Sequence, residues 1–280
     1  MEFVRSKNID ALDGPVAPVV VDGDAEPGEL VGRRLVQALQ ARREIIVFER
    51  FFAFVESRLV GLPEILCPDK AKVAHGELGK YTFPAANRPI VKALQLPDRY
   101  LITPDPGRDF SVFLAGLERS IEHGISLVQL RAKQLAEEDY RQLAITVAGL
   151  CRSANVRLLL NCAPHLVPEL GAQGVHLTGR RLRELEKRPL DPGYLVAASC
   201  HSREDVNRAG RLGLDFIVVS PVRETASHPG SPAIGFGGLQ SLCEAAVMPV
   251  YALGGMQEAD IGTAWQCGAQ GIASIRGLWM

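Results

Sequence analysis

The chain has 280 residues, 47% hydrophobic and 22% charged, with a formal net charge of −1. That balance suits a globular protein with room for one large or two modest domains. It excludes a global cationic field of the kind that attracts nucleic acid or an anionic membrane, so any phosphate site has to be local.

No run approaches the roughly 18 apolar residues of a membrane span. No signal-peptide core follows Met1–Lys7, and the expected location is the cytoplasm. The six cysteines (67, 151, 162, 200, 243 and 267) are scattered without a CxxC pair. Neither a zinc site nor a disulfide framework is expected, and most read as small buried hydrophobes. Cys162 and Cys200 fall at predicted strand ends, but the sequence offers neither of them a paired base.

Residues 1–98 carry only short periodic segments. Val19–Val21 suits a strand, Glu29–Arg43 a helix, and Ile45–Val55 a second, aromatic strand. Residues 60–80 mix Gly, Pro and charge with little pattern. This part reads as a small α+β segment.

From Tyr100 the order becomes regular. Tyr100–Thr103 is strand-like, and Phe110–His123 is helical with Gly124 as its C-cap. Leu127–Arg131 is a strand, Ala136–Ala154 a helix, Arg157–Asn161 a strand and His165–Leu170 a short helix. Gly174–Thr178 is a strand followed by the basic stretch Gly179–Arg188. Leu195–His201 is a strand, and Ser202 caps a helix to about Gly213. Phe216–Val222 is a strand, Arg223–Gly238 a long Gly/Pro/Ser loop, and 239–246 a helix. Val250–Leu253 is a strand, Glu258–Gly268 a helix and Gly271–Ile275 a last strand.

Strands this apolar are buried on both faces, as in parallel sheets. Residues 99–280 are therefore expected to form an α/β fold, a (β/α)₈ TIM barrel. A doubly wound open sheet is the rival. Trp279-Met280 follows the eighth strand so closely that the barrel is expected to lack its last helix. The helical spacing of Pro84–Leu96 makes that segment the candidate cover for strand eight.

The strand ends carry the chemistry, as in other parallel barrels. Gln129, Arg131 and Lys133 alternate, so they point the same way. Two cations and an amide there suit an anion clamp, with Arg131 giving a bidentate contact. The competing reading pairs them with Glu137 or Asp139. Gly254-Gly255 after strand seven and Gly271–Gly277 around strand eight suit a phosphate held by backbone N–H groups. In the long loop, Thr225, Ser227 and His228 can donate to a phosphate, or belong to a plain surface loop. His201 ends strand five behind Ser199 and suits either proton transfer or a structural role. Asn161 ends strand three, where a carboxamide can orient a ligand. His176 lies inside strand four and reads as core.

These positions together resemble the thiamine phosphate synthase/TenI family over about residues 99–280. The matching motifs are Val-Gln-Leu-Arg-Ala-Lys (128–133), Gly-Val-His-Leu (174–177), Ala-Ser-Cys-His-Ser (198–202), Thr-Ala-Ser-His-Pro-Gly (225–230), Pro-Val-Tyr-Ala-Leu-Gly-Gly (249–255) and Gly-Ile-Ala-Ser-Ile (271–275). The resemblance implies a (β/α)₈ barrel of thiamine biosynthesis. Synthase members join a pyrimidine diphosphate to thiazole phosphate with Mg²⁺ and release pyrophosphate. TenI members bind thiazole phosphate and isomerise its double bond without a metal. By resemblance, Gln129, Arg131, Lys133 and Asn161 match the pyrimidine-diphosphate site. Thr225, Ser227, Gly255, Ile275 and Arg276 match the thiazole-phosphate site, and His201 matches the TenI proton-transfer histidine.

The sequence departs from the synthase pattern. Asn161-Cys162 stands where that pattern has Asn-Asp, and Thr178-Gly-Arg-Arg181 lacks the second acidic residue. Neither cysteine nor arginine replaces the carboxylates that magnesium prefers. Arg131, Lys133, Arg180 and Arg181 are the cations that could stand in for the metal. His228 replaces the synthase's loop lysine. The first expectation is thus a TenI-like thiazole tautomerase without metal ligands or cofactor, with His201 as acid/base. The alternative is a thiamine phosphate synthase, for which Mg²⁺ would be the cofactor. A non-catalytic phosphate-binding or regulatory protein is the third reading. The expected partners are phosphorylated thiazole, a pyrimidine diphosphate for the synthase, and a second copy of the chain as a homo-oligomer.

Tyr81-Thr-Phe-Pro-Ala-Ala-Asn-Arg-Pro-Ile90 resembles the tail of a MutT-type Nudix domain. Nudix chemistry needs paired glutamates on a helix, and Glu26–Glu49 has no such cluster. Residues 1–98 are therefore expected to be a degenerate Nudix-like segment without hydrolase activity.

Overall fold

The computed structural model describes residues 88–224 and 232–280. Residues 1–87, most of the expected Nudix-like segment, lie outside them. Eight strands close a barrel in chain order: β1 (Arg99–Ile102), β2 (Leu127–Leu130), β3 (Arg157–Leu160), β4 (Gly174–Leu177), β5 (Leu195–Cys200), β6 (Phe216–Val219), β7 (Val250–Ala252) and β8 (Gly271–Ser274). Every neighbouring pair is parallel, and β8 pairs with β1 through Tyr100↔Ala273, so no sheet edge is left open. The open-sheet rival is thereby excluded.

The helices are α1 (Arg88–Gln95), α2 (Phe110–Glu122), α3 (Glu137–Ser153), α4 (Leu166–Glu169), α5 (Gly179–Glu184), α6 (Arg203–Arg211), α7 (Gly235–Ala245) and α8 (Ile261–Gln266), the last preceded by a 3₁₀ turn, Glu258–Asp260. Their starts follow from capping. Asp109 accepts from the Ser111 and Val112 N–H groups at the head of α2, and Ser202 accepts from the Asp205 N–H at the head of α6. Helix α3 opens with Glu137, Glu138 and Asp139 at its positive end and buries Tyr140, Leu143, Ala144, Val147, Ala148 and Cys151 on one stripe. Two boundaries differ from expectation. Helix α7 begins at Gly235 rather than 239, because Gly235-Phe-Gly-Gly reads as loop by propensity while the backbone ties Gly235 N–H to Val222 O. The basic stretch after β4 opens as helix α5, capped by Thr178.

Alternation along each strand sorts the core into two layers. Tyr100, Ile102, Leu127, Leu159, Ala197, Phe216, Val218, Tyr251 and Ala273 fill the barrel interior. Leu101, Val128, Leu130, Leu158, Leu160, Val175, Val196, Ile217 and Ile272 face the helices. Inside, Phe216 meets Tyr100 and Tyr251 edge-on at 5.3 and 5.4 Å, contacts worth about 0.5–1.5 kcal/mol each beyond their burial.

Helix α1 corrects the expectation for residues 84–96. It caps the N-terminal end of the barrel instead of covering β8. Leu96 enters the interior cluster, Gln270 Nε2 donates to the Ala93 and Leu96 carbonyls, and Lys92 pairs with Asp215 at 2.6 Å. Beyond β8, Leu278 is buried and Trp279 stacks on Phe113 of α2 at 5.2 Å, with Met280 N–H donating to Ser120 Oγ. No helix among the described residues is long and apolar enough to cross a membrane.

Candidate active site

The interior parity continues past the strand ends. After Leu127 come Gln129 and Arg131; after Leu159, Asn161; after Ala197, Ser199 and His201; after Tyr251, Leu253; and after Ala273, Ile275. All of these line one cavity of about 450 Å³ at the C-terminal mouth, a size suited to small-molecule ligands. Lys133, Gly254, Gly255, Met256, Arg276 and Gly277 complete the rim, and Glu224 is the one carboxylate among the described residues that line it. Thr225, Ser227 and His228 lie outside the described residues.

At the tip of β2, the backbone is tied to β1. Thr103 Oγ1 accepts from Arg131 N–H at 3.0 Å. The Arg131 guanidinium lies 3.4 Å from Asp105 Oδ2, and Lys133 N–H donates to Asp105 Oδ1 at 3.3 Å. The competing partners Glu137 and Asp139 are not used; Glu137 pairs with Arg141 instead. Sequence reasoning missed Asp105, although Thr-Pro-Asp-Pro-Gly (103–107) is a turn signal directly after β1. Gln129 Oε1 is buried without a hydrogen-bond partner among the described residues. A buried acceptor left unpaired costs about 1–3 kcal/mol, a cost that a ligand donor would remove.

Between β3 and β5 the groups are interlocked. Asn161 Nδ2 donates to the His176 carbonyl at 2.9 Å. The His176 ring, 2% exposed, sits with Nδ1 3.0 Å from Tyr100 Oη and Nε2 2.9 Å from Ser199 Oγ. Burial pulls its pKa down to about 3, so it is neutral at physiological pH. His176 is thus a core residue that also reaches the cavity floor.

His201 is placed by two neighbours. Its backbone N–H donates to Asp205 Oδ2 at 3.0 Å, and its ring Nδ1 lies 2.8 Å from the Ser220 carbonyl. Asp205 is held in turn by Arg183.

At β7 and β8 the backbone comes close to the cavity. Gly254 has φ +107°, and a Cβ there would lie 2.9 Å from Pro221 Cα, so only glycine fits. Ser274 Oγ donates to Met256 O at 2.8 Å and accepts from Gly277 N–H at 3.1 Å, which shapes the turn carrying Arg276. Arg223 grips Asp260 through two bonds of 2.9 and 2.7 Å and anchors the departing loop beside β7.

The tips of β3 and β4 do not suit magnesium. The Cys162 thiol is buried, pushed up to about 11 by that burial, and donates to Ala163 O. The Arg181 guanidinium donates to the Cys162 carbonyl, and Arg180 is spent on Glu184 at the surface. Neither arginine lines the cavity, so of the four expected stand-in cations only Arg131 and Lys133 do. Among the described residues no group of three His, Cys, Asp or Glu could hold a metal ion. Cys200 is also unsuited as a nucleophile, since burial raises it to about 12.

The family model described as thiamine monophosphate synthase matches residues 99–278. The thiamine-phosphate synthase of Thermus thermophilus is 34% identical over 179 residues, covering 64% of this chain and 86% of the relative. That of Caldanaerobacter subterraneus is 29% identical over 165 residues, covering 58% and 77%. The solved thiamine phosphate pyrophosphorylase of Pyrococcus furiosus superposes with a TM-score of 0.52 at 22% identity, over 64% of this chain and 85% of that one, a likeness of fold.

Proposed function

The chain belongs to the thiamine monophosphate synthase family, and from that premise we propose that it is a thiamine phosphate synthase, joining a pyrimidine diphosphate to thiazole phosphate with release of pyrophosphate. Curated relatives bearing the synthase name support this reading over the tautomerase expected first.

The observation that carries it is the pairing of two anion-holding clusters in one mouth. Arg131 and Lys133 follow β2, while Gly254, Gly255, Arg276 and Gly277 follow β7 and β8, and all line the same cavity. In the barrel order only β1 separates β2 from β8. A tautomerase needs one phosphate site; a coupling enzyme needs two, close together. The cations of the first cluster meet the leaving pyrophosphate, and oriented charge of this kind stabilises the charge that develops as the bond breaks. Gln129 and Ser199 face the ring of the bound ligand from below. The residues at the tips of β3 and β4 give no step that runs through a metal.

One observation favours the tautomerase as a second reading. The His201 Nδ1 position against Ser220 O leaves Nε2 as a base.

Pyrophosphate release from the intact chain tests the proposal. Release with both substrates together and with neither alone is expected. No release with both, with or without added Mg²⁺, would remove it.

A further inference from the structure

We infer that Tyr100 and His176 are positioning residues that fix the direction of the Ser199 hydroxyl proton, so that Ser199 presents a hydrogen-bond donor to the cavity. The three groups form one chain. It runs from Tyr100 Oη to His176 Nδ1 at 3.0 Å, and from His176 Nε2 to Ser199 Oγ at 2.9 Å. Tyr100 is fully buried, His176 is 2% exposed, and Ser199 lines the ligand cavity.

A neutral imidazole carries one proton, so the chain has two possible directions. In one, Ser199 donates to Nε2 and Nδ1–H donates to Tyr100 Oη. The phenol proton of Tyr100 would then need an acceptor of its own. Its ring neighbours are Phe216 and Tyr251 at 5.3 and 5.6 Å, and the Tyr251 hydroxyl is turned to Pro97 O and makes no hydrogen bond with that of Tyr100. No acceptor other than His176 stands beside Tyr100 Oη among the described residues. A buried donor left unpaired is costly. In the other direction every group is satisfied: Tyr100 O–H donates to Nδ1, and Nε2–H donates to Ser199 Oγ. The Ser199 lone pair facing the ring is thereby occupied, and its own O–H turns to the cavity.

A serine hydroxyl normally serves as donor or acceptor to suit its ligand. Here the barrel floor removes that freedom. The cavity floor would select a ligand that offers an acceptor atom, such as an unprotonated ring nitrogen, and would reject a ring with N–H at that place. That this ligand is the pyrimidine diphosphate rests on the function proposed above; the proton direction does not.

Two measurements test the inference separately. Long-range ¹H–¹⁵N correlation spectra of the full chain, labelled on histidine, read the His176 tautomer directly and need no variant. The Nε2–H form is expected, and an Nδ1–H form would overturn the inference. The second is a double-mutant cycle on pyrimidine-diphosphate binding. Ser199→Ala and Tyr100→Phe should each weaken binding, by about tenfold and severalfold respectively. Combined, they should do no worse than Ser199→Ala alone, because Tyr100 acts only through that hydroxyl. Additive losses would assign Tyr100 a purely structural role and overturn the positioning. If neither single variant alters binding while the Nε2–H tautomer is present, the proton direction stands and the ligand assignment falls.

Discussion

The Nδ1 atom of His201 lies 2.8 Å from the carbonyl oxygen of Ser220. A carbonyl can only accept, so Nδ1 carries the proton and the neutral ring keeps a lone pair on Nε2. Any thiazole isomerisation by this protein should run through that atom. His201→Ala should lower isomerisation by about 10²-fold or more, while thiamine phosphate formation falls far less. Following both products in parallel checks this; equal losses would give His201 a role common to both reactions.

Arg131 supplies the forked cation of the β2 cluster and lies 3.4 Å from Asp105. Arg131→Gln should weaken inorganic pyrophosphate binding by roughly 10–100-fold, the worth of a charge-assisted contact. Arg131→Lys should recover only part of that loss, because an ammonium cannot make the planar fork. Calorimetric titration gives both values.

The proposed pyrophosphate site should be largely indifferent to magnesium. With no carboxylates at the tips of β3 and β4, adding Mg²⁺ should change pyrophosphate affinity by less than about threefold. A tenfold or larger gain in the same titration would contradict this and point to Glu224, the one carboxylate among the described residues that line the cavity.

Asp205 is a buried carboxylate with a structural task. Burial alone would raise its pKa, but hydrogen bonds from Arg183 and the His201 N–H, with the arginine charge, hold it below the ordinary carboxylate range. A folded pKa below the unfolded value near 3.9 stabilises the protein above that pH and loses the effect as pH falls through the folded value. Asp205→Asn should therefore cost about 1–3 kcal/mol at pH 7. The gap to wild type should narrow below about pH 4. Denaturant melts across pH 3–7 test the sign.

Gly271 marks the closure of the barrel. A Cβ there would sit 2.0 Å from the Asp98 carbonyl oxygen, beside the β1–β8 seam. Gly271→Ala should destabilise by several kcal/mol, as forced overpacking does, seen as a large fall in Tm.

Much of the fold was legible because parallel strands write themselves as apolar runs with polar tips. The interior parity of Gln129, Arg131, Asn161, Ser199 and His201 could be read by counting in twos from the strand cores. Tertiary pairings were not legible. Nothing local ties Asp105 to Arg131 across 26 residues, or Tyr100 to His176 across 76. Helix α1 was misplaced for a similar reason. Its spacing shows an apolar face but not what that face meets, and Gln270 and Asp215 decide that from far along the chain. Arg180 and Arg181 looked available as cations because sequence does not show that Glu184 and the Cys162 carbonyl occupy them.

The most direct test offers the intact protein both reactions at once. Pyrimidine diphosphate and the thiazole phosphate carboxylate isomer that a tautomerase uses are supplied together with thiazole phosphate, and all products are followed by NMR. The two-cluster mouth predicts thiamine phosphate forming in step with pyrophosphate as the dominant product. Rapid conversion of the thiazole isomer with no thiamine phosphate would contradict it.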